Sequence, residues 1–403
     1  MITPHDQFCV LPWVSLETSP IGTVRPCCLA EHELVDNAGE KFNLAQAKFT
    51  AIQDSDSMRK LRQQFLAGER PDTCGKCWRE EDAGRTSKRM HTLDRLKHMI
   101  PDQEWTEDAR PLVFLDLKLG SICNLKCRIC GSWSSSTFAT EELQALPVDQ
   151  RRGSFHHKML RAGAWPRENE SFWAELDQVS DQIRYIEFTG GEPFMIQEHF
   201  DLLHDLIAQG IAGQIEIHYN TNGTQWPEQG EEIWRYFKKV EIAFSIDDVG
   251  TRFEYQRSNA VWTEVCANIE RFEQMRNRCS NIELQVCSTV NIFNVWYLAE
   301  LADWIDRQQF DFVYWNMMHD APYFSIANLA PSVKTAVIDR LAQAQVTVRH
   351  RQEFDRMIDF VRNGTQDLSE IMLQQIQKFD QRRGQDLDAI TPEWSRVIGY
   401  HDK

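Results

Sequence analysis

"LVFLDLKLGSICNLKCRICG" spans residues 112–131 and joins a strand signal to a burst of cysteine. Its first part, LVFLDLKLG (112–120), reads as a β-strand. Directly after it, Cys123, Cys127 and Cys130 fall within eight residues. Strand signals recur in IRYIEFTGG (183–191), QIEIHYN (214–220), KVEIAFSID (239–247), NIELQVCSTVN (281–291) and FDFVYWNMM (310–318). Helical stretches such as IQEHFDLLHDLIAQG (196–210) and VWYLAELADWIDRQ (295–308) lie between most of them. Strands alternating with helices predict right-handed βαβ units and a parallel sheet. Six units are too few to close an eight-stranded barrel. The predicted class is therefore α/β, a partial (β/α)6 TIM-type barrel, with function gathered at the C-terminal strand ends. The cysteine triplet falls at such an end.

The 403 residues suffice for a large core and two or three domains, and 42% hydrophobic with 26% charged residues describe an ordinary globular chain. No apolar run reaches the roughly 18 residues of a membrane span. The N-terminus, MITPHDQFCVLPW, lacks the basic-then-apolar order of a signal peptide. Both features predict a cytoplasmic protein without a membrane segment. A formal net charge of −16 argues against nonspecific binding to phosphate backbones. The expected organisation is a small cysteine-rich N-terminal domain (1–95), the barrel (108–325, with an insertion at 131–180) and a helical C-terminal extension (326–403). Within the first, SPIG (19–22) reads as a turn. FTAIQDSDSMRKLRQQFLAGE (49–69) reads as one helix with Met58, Leu61, Phe65 and Leu66 on one face and Gly68 as its stop. The insertion is polar, basic and aromatic by turns, as either a substrate-binding lid or a surface excursion would be.

Eleven cysteines in a reducing compartment do not suggest a disulfide framework, and their clustering suggests metal. Cys266, Cys279 and Cys287 are scattered and read as small buried apolar side chains. Cys123, Cys127 and Cys130 are spaced C-x-x-x-C-x-x-C, which lacks the paired C-x-x-C knuckles of a zinc ribbon. Thiolates at this density suit an iron–sulfur cluster. Three of them would hold three irons of a four-iron cluster and leave the fourth open to a ligand that takes part in chemistry.

With this triplet after the first strand, the sequence resembles the radical S-adenosylmethionine (radical SAM) enzymes. The resemblance implies that S-adenosyl-L-methionine chelates the open iron of a [4Fe-4S] cluster. It also implies reductive cleavage of the cofactor to a 5′-deoxyadenosyl radical, which takes a hydrogen atom from substrate. Ile129 departs from the family, which usually carries an aromatic residue before the third cysteine. FTGGEPF (188–194) resembles the GGEP motif that meets the methionyl amino group. Gly190 and Gly191 let the backbone come close, Glu192 offers an acceptor for an ammonium, and Pro193 completes the motif. By the same resemblance, Asn220 or Thr221 would line the cofactor pocket, and Ser245 would contact the cofactor ribose or carboxylate with Asp247 nearby. Asp247 or Asp248 reads equally well as a helix N-cap. Arg257 would face the cofactor carboxylate through its bidentate fork, and Val290 and Asn291 would flank the adenine. Asn316 and His319 follow the sixth strand, toward the expected substrate space.

Cys9, Cys27, Cys28, Cys74 and Cys77 remain. Four of these five would close one S4 shell, which on spacing suits zinc or an iron–sulfur cluster equally. The run C…G-x-V-x-P-C…L-R…C-x-x-C resembles the auxiliary-cluster module called twitch, a shortened SPASM domain, which implies a second [4Fe-4S] cluster. The Pro–Cys position is doubled, so either Cys27 or Cys28 fits it. In the best-known relatives the module follows the barrel, whereas here it precedes it. Twitch and SPASM modules are commonest in enzymes that modify peptide or protein side chains by cross-linking, epimerisation or oxidation. The resemblance thus implies a peptide or protein substrate and an electron donor such as flavodoxin or ferredoxin. Two alternatives are a dehydrogenase of a small sugar-like alcohol with the auxiliary cluster as electron acceptor, and a non-catalytic iron–sulfur scaffold.

Overall fold

The computed structural model describes residues 3–82, 84–101, 104–167 and 169–400. Its strands in chain order are β1 (Ser15–Thr18), β2 (Val24–Arg25), β3 (Phe114–Leu117), β4 (Lys126–Cys127), β5 (Tyr185–Phe188), β6 (Glu216–Thr221), β7 (Lys239–Phe244), β8 (Arg257–Ser258), β9 (Ile282–Val290) and β10 (Phe312–Met317). Eight of them form a sheet in the order β10-β9-β7-β6-β5-β3-β1-β2, while β4 and β8 form a separate pair. The pairings β1–β3, β3–β5, β5–β6 and β9–β10 are parallel, and β1–β2 is antiparallel. Each of the six expected strands is present, and the chain is α/β.

Four strands exceed the expectation, the β4–β8 pair and two in the sheet. β1 and β2 come from the cysteine-rich N-terminal region and add to the sheet beside β3. Their hairpin turns at Ser19–Gly22, where Ser19 N–H donates to Thr23 O at 2.8 Å and Gly22 takes φ +84°. The expected helix at 49–69 is two helices, Phe49–Gln53 and Asp56–Leu66. Ser55 breaks it: its hydroxyl accepts from Met58 N–H and so caps a new helix. Met58, Leu61 and Phe65 form the buried stripe, and Gly68 follows the last turn at φ +73°.

The chain divides into two compact units. One holds Met1–Asn124, Ser132–Asn220 and Pro227–Glu241, and the other holds Leu125–Gly131, Thr221–Trp226 and Ile242–Lys403. In the first, helix Gln197–Ala208 buries His199, Phe200, Leu203 and Leu206, the helical i, i+1, i+4, i+7 face. Its His199 ring sits 4.6 Å from Phe188 of β5 and 5.2 Å from Tyr219 of β6. Alternation along a strand then puts Asp116, Glu187 and His218 on the sheet's opposite face. The insertion is largely helical, with helices at Ser136–Ala145, Val148–Arg151, Phe155–Ala162 and Glu170–Val179. In the second unit, helix Trp262–Arg276 buries Phe272 against Phe244 at 5.2 Å. The chain beyond 325 is helical, with the long helices Pro331–Gln343, Val348–Asn363 and Ser369–Arg383. Among the described residues no helix is long and apolar enough to cross a membrane.

Candidate functional site

Cys9, Cys27, Cys74 and Cys77 line one pocket in the first unit, walled by Leu11, Leu29, Ala30, Phe65 and Arg89. Cys9 precedes the short helix Leu11–Val14, and Cys27 follows β2. Cys74 ends a 3-10 turn and Cys77 lies three residues on in helix Gly75–Asp82, so both thiols share one face. Arg89 is fixed at the wall. Its Nη1 donates to Asp6 O and Phe8 O at 2.7 Å each, and its Nε and Nη2 fork onto Glu81 at 2.9 and 2.7 Å. Burial pushes the Cys27 thiol up to about 12, reinforced by neighbouring Cys77. Cys9 and Cys74 also rise, through burial and then through the other thiols. Four desolvated sulfurs in an apolar wall beside one arginine fit an anionic metal–sulfur centre, because binding a metal releases the thiol protons.

Cys28 lies elsewhere. Its Sγ and the carboxylate oxygens of Asp116 and Glu187 lie within 4.8 Å of one another. These belong to a polar row set by strand register, in which Glu17 pairs with Asp116, Asp116 with Glu187, and Glu187 with His218. Each acid has a cation. Arg25 forks onto Glu17 at 2.9 Å twice, Lys118 Nζ reaches Glu17 at 2.6 Å and Asp116 at 3.0 Å, and Lys88 Nζ holds both Glu187 oxygens at 2.7 and 2.8 Å. Further along, His218 Nδ1 lies 3.0 Å from Glu241, which also takes Arg95 at 3.0 Å and Lys239 at 2.9 Å. Burial raises the Glu187 carboxyl, but the Lys88 ammonium and the His218 ring more than offset it and hold it below the usual range. Glu17, Asp116 and Glu187 balance Arg25, Lys88 and Lys118, so the row has no charge for a dication to neutralise.

The GGEP turn after β5 adjoins this row. Gly190 and Gly191 take φ +72° and +61°. A Cβ on Gly190 would meet Lys118 Cγ at 2.9 Å, and one on Gly191 would meet Ile122 O at 2.4 Å. Glu192 is fully buried; its N–H donates to Ile122 O at 2.7 Å and its Oε1 accepts from Phe194 N–H at 3.2 Å. Pro193, also buried, starts the 3-10 turn Pro193–Met195. The turn is thereby tied to the loop that leads into Cys123. The Cys123 carbonyl accepts from Thr137 Oγ1 at 2.5 Å, and its N–H donates to Ser136 Oγ at 3.2 Å. Asn220, near the end of β6, is half-buried.

Cys127 and Cys130 belong to the second unit. Cys127 lies in β4, opposite Arg257 of β8, and Cys130 N–H donates to Cys127 O at 3.1 Å. Arg257 forks onto Asp247 Oδ2 with Nε at 2.9 Å and Nη2 at 2.7 Å, while its Nη1 points at Cys127 Sγ at 3.7 Å. Burial pushes the Cys127 thiol up to about 12, with Arg257 pulling the other way. Burial alone would lower the Arg257 guanidinium, but Asp247 and Cys127 raise it. Asp247 Oδ1 also accepts Thr289 N–H at 2.8 Å, so both carboxylate oxygens are engaged within the chain. Asn291 donates to Thr289 O at 2.8 Å and Gln256 Oε1 at 3.2 Å, leaving the buried Gln256 Nε2 without a partner. Val290 is buried, and Ser245 is half-buried with its N–H on Thr221 O. Asn316 is half-buried opposite Thr289. The His319 ring packs edge-on against Phe360 at 5.6 Å. Of the scattered cysteines, Cys279 is buried, whereas Cys266 and Cys287 are half-buried.

Compared with known proteins, residues 117–284 match the description "Radical SAM superfamily" and residues 9–78 match "Iron-sulfur cluster-binding domain", the SPASM domain. The chain carries a radical SAM superfamily domain preceded by a SPASM domain. Its cofactors are accordingly S-adenosylmethionine, the [4Fe-4S] cluster that binds it, and an auxiliary iron–sulfur cluster whose domain stands N-terminal. Among solved structures, the chain is similar to native anSMEcpe with bound AdoMet and Cp18Cys peptide (17% identity, TM-score 0.36), over 57% of each chain. It is also similar to SuiB of Streptococcus suis bound to S-adenosylmethionine (11% identity, TM-score 0.36), over 83% of this chain and 68% of that one. No curated protein matches the chain.

For a radical SAM chain, the polar row is the feature that motif reading passes over. Its signal lies in strand parity: each of β3, β5, β6 and β7 carries an ionisable residue (Asp116, Glu187, His218, Glu241) between two buried apolar or aromatic neighbours. The cations are harder to find, because Lys88 and Arg95 lie on helix Lys88–Leu96, far from those strands in sequence.

Proposed function

We propose that this radical SAM protein reductively cleaves S-adenosylmethionine and uses the resulting 5′-deoxyadenosyl radical to abstract a hydrogen atom from a peptide or protein side chain. Cys123, Cys127 and Cys130 would hold the cofactor-binding cluster, and Cys9, Cys27, Cys74 and Cys77 the auxiliary one. The observation that carries this reading is the closed pocket of Cys9, Cys27, Cys74 and Cys77, which includes none of the three cysteines that follow β3 in the sequence. Glu192 and the glycines before it would receive the cofactor's amino group, and Arg257 would orient the cysteine loop and meet the carboxylate. Ser245, Val290, Asn291 and Asn220 would complete the cofactor contacts, and Asn316 and His319 would serve the substrate. A flavodoxin- or ferredoxin-type donor would supply the electron. Clustered free thiols suit the reducing cytoplasm.

The presence of a SPASM domain supports a peptide or protein substrate. The row Glu17–Asp116–Glu187–His218 supports the second reading, a compact polar molecule such as a sugar-like alcohol, oxidised with the auxiliary cluster as acceptor. Deuterium transfer separates the two. The reconstituted, reduced protein is given S-adenosylmethionine and either a tryptic peptide pool or a low-mass extract from cells grown on perdeuterated nutrients. Deuterium in 5′-deoxyadenosine from the peptide pool supports the peptide reading. Deuterium from the low-mass fraction alone overturns it.

A further inference from the structure

Arg128 sits inside the cysteine loop, between Cys127 and Ile129, yet its side chain is fully buried. Its backbone N–H donates to Gln256 O at 2.8 Å, and its Nε donates to Tyr255 O at 2.9 Å. The guanidinium lies 3.7 Å above the Tyr255 ring, with Phe293 and Phe379 at 5.8 and 5.7 Å. Its Nη2 donates to Asp380 Oδ1 at 2.5 Å and Gln385 Oε1 at 2.9 Å. Asp380 belongs to helix Ser369–Arg383 of the C-terminal extension, 252 residues from Arg128 along the chain.

Asp380 gathers more than this arginine. Oδ1 also accepts from Tyr255 O–H at 2.8 Å, and Oδ2 accepts from Leu387 N–H at 2.9 Å and Tyr400 O–H at 2.7 Å. Two further contacts secure β8, the strand that pairs with the cysteine-bearing β4. Arg383 Nη1 donates to Ser258 Oγ at 3.1 Å, and Ser258 Oγ donates to Gln385 Oε1 at 3.2 Å. Both Asp380 oxygens are filled, while Arg128 Nη1 is buried without a hydrogen-bond partner; losing Asp380 would strand the guanidinium charge out of water. Surface support for a helix would need none of this apparatus.

We propose that Asp380 is a positioning residue for the cluster loop, and that the C-terminal extension, through Asp380 and Gln385, clamps Arg128 so that Cys127 and Cys130 are held in ligand geometry before any cluster arrives. The extension is on this account part of the cluster site. This inference rests on the assignment of Cys127 and Cys130 as cluster ligands, and its test reads the loop with and without the cluster.

The experiment compares full-length parent, Asp380→Asn, Asp380→Glu and Tyr400→Phe. Hydrogen exchange on the cluster-free chains reads the loop directly. Asp380→Asn should speed exchange at Leu125–Gly131 and at Arg257–Ser258 about tenfold, equivalent to about 1.4 kcal/mol, while the remainder of the second unit keeps its protection. After reconstitution, Asp380→Asn should lose iron from the three-cysteine site and broaden the electron paramagnetic resonance signal of the reduced cluster, whereas the auxiliary cluster's signal stays. Asp380→Glu restores the charge and should recover part of both readouts, and Tyr400→Phe should leave both near parental. Unchanged loop exchange in Asp380→Asn overturns the proposal. So does exchange that rises evenly over Ile242–Lys403, which would make Asp380 a residue of the fold alone. If Asp380→Asn loosens the loop as expected but parent protein binds no iron there, the ligand assignment has failed and the clamp has not.

Discussion

Substitution at the doubled cysteine tests the site assignment most finely. Cys27 shares a pocket with Cys9, Cys74 and Cys77, while the Cys28 sulfur lies within 4.8 Å of Asp116 and Glu187 oxygens. Replacing either by alanine removes one buried sulfur, worth roughly 1 kcal/mol of apolar transfer, so both variants should fold. Their iron should differ. Two four-iron clusters give about eight irons per chain, and loss of one gives about four. Cys27→Ala should fall toward about four, because, unlike the open iron of the three-cysteine site, the iron it uncovers has neither a cofactor nor a pocket carboxylate to ligate it. Cys28→Ala should keep about eight, since Glu17, Asp116 and Glu187 already balance Arg25, Lys88 and Lys118. The assay is iron and sulfide per chain after anaerobic reconstitution, with Mössbauer spectra to identify the cluster that remains. A Cys28→Ala protein at about four irons beside a Cys27→Ala protein at about eight would refute the reasoning.

Three other outcomes follow from the geometry. Arg257→Ala leaves Asp247 buried without its counter-charge and should cost roughly 3–5 kcal/mol in urea unfolding, with the auxiliary cluster's iron retained. Gly191→Ala forces a Cβ to within 2.4 Å of Ile122 O at φ +61°, and should lose roughly 1–3 kcal/mol by thermal unfolding. Asp248 is buried with Oδ2 unpartnered, and burial pushes its carboxyl up to about 7 despite Arg252. A carboxyl raised on folding contributes stability that is complete below its unfolded value and is lost as pH rises through about 7. Asp248→Asn should therefore gain on the parent between pH 5 and pH 8, on the order of 2 kcal/mol; a pH-independent difference in unfolding free energy would contradict the assignment.

What the sequence made legible follows from periodicity. β3, β5, β6, β7, β9 and β10 announce themselves because each carries an apolar run or an apolar–polar alternation bounded by turn residues. β1 does not, because Ser15–Thr18 has one large apolar side chain, Leu16, and becomes a strand only by pairing with β3. The cysteine spacings and GGEP are local and were readable as they stand. Asp247 and Arg257 were each legible as polar residues near a strand end, but their mutual fork was not, since helix Gly250–Gln256 must turn the chain back to bring them together. The choice between Cys27 and Cys28 is invisible in spacing, because adjacent residues after β2 point to different sides, one into the thiol pocket and one toward Asp116 and Glu187. Asp380 is illegible for a simpler reason: nothing in its helix marks it as the partner of a residue in the cysteine loop.

The most direct measurement of the central claim is cofactor cleavage. Protein reconstituted with iron and sulfide, reduced by dithionite without oxygen and given S-adenosylmethionine, should release 5′-deoxyadenosine and methionine. Cys127→Ala should release neither, and Cys77→Ala, which disturbs only the auxiliary set, should still cleave the cofactor. Parent protein that carries both clusters and releases no 5′-deoxyadenosine would contradict the account.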